Sequence, residues 1–136
     1  MSSPESGFMQ ASAAMNDISA GNNWLQGQIE SGHLKINPEA AEAGAKVYEE
    51  KARRVADLAR DADRLQQVSG LGDYASGQQL AQKFGLKARN GKTGAADLLD
   101  QCADELRRKA DLYRQAAKDY RATDDQIAQD LQRGAQ

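Results

Sequence analysis

Between residues 95 and 132 the side chains Leu99, Cys102, Leu106, Tyr113, Ala116, Tyr120, Ile127 and Leu131 follow a three-four rhythm through more than four heptads, and no other feature of the sequence restricts its fold so strongly. A strand repeats every second residue, so this spacing demands a helix, and a seven-residue rhythm kept for so long implies packing along a supercoiled seam. A second stripe precedes it. Tyr48, Val55, Leu58, Ala62 and Leu65 step by three, four or seven, with charges on the opposite face. Its start is written in Asn37-Pro38-Glu39: Asn37 is suited to capping free amides, Pro38 to the first turn, and Glu39 to the positive end of the helix dipole. Ser69-Gly70 supplies the stop, which predicts a helix over 37–69 of about nine turns.

The rest of the 136 residues divides around these two helices. Residues 1–7 are small and polar and read as disordered. Phe8, Met15, Ile18, Leu25 and Ile29 form a weaker stripe over 8–33, interrupted by Gly21 and Gly27 and with Asn22 and Asn23 suited to a stop, so one bent helix or two short ones are predicted there. Glycines punctuate 70–94, where Ser76 to Phe84 suits a short connecting helix with Gly85 as its stop, and Thr93 suits a cap for the helix over 95–132. The expectation is a single all-α domain over 8–136: an antiparallel hairpin of two long helices, with an N-terminal helical segment and a short connecting helix. The candidate seam, and partner interface, is Tyr48, Val55, Leu58 and Leu65 against Leu99, Cys102, Leu106, Tyr113 and Ile127. Only 5% of residues are aromatic and alanine is abundant, so the core is thin, and helices packed through alanine approach closely.

Composition then narrows the function. A formal net charge of -2 gives no global positive field for a nucleic acid or an anionic membrane, and the basic runs at Lys51-Ala52-Arg53-Arg54 and Arg107-Arg108-Lys109 lie among acids, as solvated helix faces do. No stretch approaches the roughly 20 apolar residues of a membrane span, and the N-terminus lacks the pattern of a cleaved signal peptide. One cysteine allows no internal disulfide. One histidine, His33, one cysteine and scattered acids offer no catalytic or metal-binding constellation, so no cofactor is expected and a non-enzymatic protein is. Gly91-Lys92-Thr93-Gly94 departs from a phosphate-binding loop, because the first glycine of that pattern falls at Leu86.

One pattern remains. Tyr120 and Asp124 stand four residues apart on one helix face near the end of the last stripe. A capped helix after Asn37-Pro38-Glu39, a glycine-rich turn, and a second helix ending in Tyr-x-x-x-Asp resemble actinobacterial type VII (ESX) secretion substrates, most of all the EspC-like branch of the WXG100 superfamily. The resemblance covers about Ile36 to Leu131. It implies export without a cleaved signal peptide, a hairpin that pairs with another helical hairpin, and a Tyr120/Asp124 signal read by the secretion machinery. Trp-x-Gly is absent from the turn, since the one tryptophan lies upstream in Trp24-Leu25-Gln26-Gly27. The other expectation is a cytoplasmic adaptor that homodimerises along its seam.

Overall fold

The computed structural model describes residues 4–67, 72 and 75–134, with side chains from Gln10 onward except that of Phe84. Among these residues the chain is all-helical and has no strand: α1 spans Pro4–Glu30, α2 Pro38–Asp63, α3 Ala75–Ala88 and α4 Ala95–Gly134, and a single 3-10 turn, Arg64–Gln66, follows α2. Residues 4–7 belong to α1, so the helix begins before Phe8 and takes in part of the stretch read as disordered.

α1 runs unbroken past the residues expected to bend it. Gly21 and Gly27 face open space, and Asn22 turns inward, where its amide donates to the Glu105 carbonyl at 2.9 Å and to Glu105 Oε2 at 2.8 Å. A partner on another helix thus replaces the local backbone bonds by which asparagine competes with a helix. α2 begins as its sequence dictates, with Asn37 Oδ1 accepting from the amides of Glu39 and Ala40. It ends earlier than Ser69-Gly70, because Asp63 turns to Arg89 and the chain tightens into the 3-10 turn. Ser69 and Gly70 lie outside the described residues.

α3 continues through Gly85 instead of stopping there. A Cβ at Gly85 would lie 2.7 Å from the Gln66 carbonyl oxygen, so this glycine serves a close approach between α3 and the 3-10 turn. The cap of α4 differs as well. Asp97, three residues into the helix, reaches back to accept from the Gly94 amide at 3.1 Å, while Thr93 Oγ1 accepts from the Asn90 side chain.

α4 is the spine, and it packs against α2 through alanine. Ala41, Ala45, Ala52 and Ala59 of α2 and Ala96, Ala103, Ala110 and Ala117 of α4 are buried, most of them seven residues apart. A methyl side chain lets the backbones come close, and bulkier neighbours are left on the rims of the contact. Ion pairs flank this contact: Glu42 and Glu49 meet Arg114, and Asp63 at the end of α2 meets Arg89, just before α4. Contact is also close at Gly44, where a Cβ would fall 2.8 Å from the Tyr113 ring.

α1 lies on the other side of α4. Asn22 reaches Glu105, two residues after Ala103, and Arg108, two before Ala110, donates to Gln26 at 2.8 Å, so the α1 contact uses positions roughly opposite the alanine line on the helix. Met15 and Ile29 are buried on the same face of α1 as Asn22. These three recur every seven residues and run in the same direction as α4.

Candidate interaction surface

With α2 and α1 on opposite sides, α4 keeps two flanks, and they differ in chemistry. One carries Asp100, Asp104, Arg107, Asp111 and Arg114. Arg114 clamps this side of the seam, donating to Glu42 at 3.1 Å and also pairing with Glu49; both carboxyls are thereby held below their usual range and the guanidinium is raised. The other flank carries Leu99, Cys102, Leu106, Lys109 and Tyr113, all half-buried. Here Tyr48 meets Tyr113 edge to face at 5.4 Å between ring centroids, and the Lys109 ammonium lies 5.3 Å from the Tyr48 ring.

The proposed seam is therefore redistributed. Leu99, Cys102, Leu106 and Tyr113 of α4, with Tyr48 and Val55 of α2, form a half-buried rim beside the alanine line. Leu58 and Leu65 leave the seam, at 54% and 60% exposure, because alanines occupy the narrow gap between the helices. Ile127 is 52% exposed for another reason: it lies past the start of α2, where nothing faces it among the described residues. Close packing through alanine was expected, but the signal missed in the sequence was its register, the heptad of alanines at 96, 103, 110 and 117, because the seam was placed on the larger side chains. Burial raises the Cys102 thiol above its ordinary pKa, which lowers its reactivity.

Tyr120 and Asp124 sit where α4 leaves the bundle. Tyr120 is half-buried, Asp124 is exposed, and from Arg121 to Gly134 every residue but Thr123 is exposed. These 14 residues of helix project about 21 Å at 1.5 Å per residue. Ile127 and Leu131, the latter 70% exposed, lie along the same face as Tyr120 and Asp124.

The glycine-rich turn before α4 is closed upon itself. Asn90 Oδ1 accepts from the amides of Lys92, Thr93 and Gly94, and Asp97 Oδ2 from those of Asn90, Gly91 and Gly94. The amides that a phosphate would need are taken. Gly91 has φ +90°, the left-handed conformation that this turn requires. Arg89 completes the knot, donating to Asp97 at 2.9 Å and Asp100 at 2.7 Å and pairing with Asp63. Burial pushes the Asp97 carboxyl up, but the three amides and Arg89 outweigh it and hold the group below its usual value.

His33 is exposed, and its ring nitrogen Nδ1 lies 2.6 Å from Ser31 Oγ. Among the described residues no group of three or more His, Cys, Asp or Glu side chains is placed to hold a metal ion. An open groove between α1 and α4 is lined by Gln26, Ile29, Arg108, Asp111, Leu112 and neighbours, none of them a histidine, cysteine or hydroxyl residue. No helix among the described residues is long and apolar enough to cross a membrane. Comparison with protein-family models, curated proteins and solved structures finds no match to this chain.

Proposed function

We propose that this chain is a non-enzymatic helical partner protein exported by a type VII secretion system, with α2 and α4 as an antiparallel hairpin and Tyr120 and Asp124 as its export signal. One observation carries the reading: the Tyr-x-x-x-Asp pair stands at the root of a helical segment that projects beyond α2, with Asp124 open to solvent. A receptor there would meet a preformed helix and a free carboxylate without unfolding the bundle. The apolar flank of α4 suits a second helical protein, and the groove between α1 and α4 is lined without a serine, threonine, cysteine or histidine.

The test separates folding from recognition. Asp124 is exposed and lies toward the negative end of the α4 dipole, so Asp124→Asn should leave the helical spectrum of the chain unchanged. The ratio of secreted to cellular protein is then compared in the native host for wild type, Asp124→Asn and Asp125→Asn. Export should fall for Asp124→Asn alone. Equal secretion by all three removes the signal.

A further inference from the structure

We infer that the projecting end of α4 is a docking element for a second copy of this chain, and that it lies in the partner's apolar flank between α1 and α2. Three observations meet here. The projecting segment presents Tyr120, Asp124, Ile127 and Leu131, at steps of four, three and four, and Ile127 and Leu131 are more than half exposed. Read backward, the flank of α4 presents Tyr113, Lys109, Leu106 and Cys102 at the same steps, all half-buried and open on one side. The charges also complement each other. Asp124, Asp125 and Asp130 outnumber Arg121 and Arg133 on the projection, while the flank offers Lys109 and Lys51, neither of which is in an ion pair among the described residues.

Laid antiparallel, two α4 helices then match in four layers: Tyr120 over Tyr113, Asp124 over Lys109, Ile127 over Leu106, and Leu131 over Cys102, each with its counterpart in the other copy. The contact is isologous, so each copy gives its projection and receives the other's. Both projections are covered at once, and the association closes at two. Antiparallel pairing brings only the ends of the two bundles over one another, because α2 begins near the level of Tyr120. The inference does not depend on export: the dimer covers Tyr120 and Asp124, so a receptor that reads them must meet the single chain, and the contact would form equally in a chain that never leaves the cell.

The full chain, 14.7 kDa, is expected to show twice that mass by light scattering during gel filtration. Changing the exposed pair, Ile127→Ser with Leu131→Ser, should return it to single mass with an unchanged helical spectrum. Asp124→Lys and Lys109→Asp should each weaken the dimer at least tenfold, and the two together should restore it. Leu131→Cys should give an intermolecular disulfide with the native Cys102 of the other copy on mild oxidation, whereas Gln129→Cys, on the opposite face of the helix, should not. A wild-type chain of single mass overturns the proposal, whether the projection stays bare or a different protein covers it. So does a dimer that survives loss of Ile127 and Leu131, or equal crosslinking by both cysteine variants.

Discussion

The smallest side chains of this protein carry its tightest contact. At Ala110 or Ala103 the methyl group is fully enclosed between α2 and α4, whereas Leu106, one turn away, stands on the rim. Replacing Ala110 by Leu must force the helices apart and should cost about 1 to 3 kcal/mol, the usual range for overpacking a core. Leu106→Ala removes three carbons that are already partly wetted and should cost only about 1 kcal/mol at roughly 0.8 kcal/mol per fully buried methylene. Chemical denaturation of the two variants checks the order, and a larger loss for Leu106→Ala would place the seam on the leucines. The seven-residue spacing of these alanines was present in the sequence. It was obscured because alanine also fills exposed helix surface, and only a packed partner distinguishes the two uses. Asn22 was misleading in the opposite way: beside Gly21 it reads as a helix breaker until Glu105 is seen to receive its amide.

For the elements, what the sequence revealed depended on how local the cause was. The start of α2 was legible because Asn37, Pro38 and the amides they serve lie within a few residues. The end of α2, the full length of α3 and the cap of α4 were not, because Asp63, Gly85 and Asp97 answer to Arg89, Gln66 and the turn at 90–94. That junction makes an element-scale prediction. Asp97 and Asp63 both titrate below their ordinary values in the folded chain, Asp97 through three amides and Arg89 against its burial, Asp63 through Arg89. A depressed folded pKa adds stability that is complete above the unfolded value, near 4, and is lost as pH falls through the folded one. The junction should therefore loosen below about pH 4. Asp97→Asn should cost about 3 kcal/mol at neutral pH by leaving Arg89 and the turn amides poorly paired, and should flatten the acid limb of the stability curve. Melting midpoints for wild type and variant between neutral pH and the acid limb decide this, and parallel acid limbs would contradict it.

At the scale of the whole molecule, α4 serves as a common wall. α2 is fixed to it by a continuous apolar line and by Arg114, while α1 is fixed by Met15, Ile29 and a polar group around Asn22, whose Oδ1 is buried without a partner among the described residues. An unmet buried acceptor costs about 1 to 3 kcal/mol, so α1 is the less firmly held of the two. The all-helical class followed directly from periodicity and scarce aromatics. The arrangement of α1 and α2 on opposite sides did not, because α4 reads as one stripe until both partners are in place. The alanine seam has a thermal consequence. Unfolding an ordinary chain of 136 residues raises the heat capacity by roughly 1.6 to 2.0 kcal/mol/K, mainly by wetting large apolar side chains. Here the core offers mostly methyl groups, and several leucines are wet in the folded state. Scanning calorimetry is expected to give a smaller increment, and a value at or above the ordinary range would refute the expectation. A small increment bends the free-energy curve less, so such a protein keeps nearly the same margin against unfolding over a wide span of temperature and resists cold as well as heat.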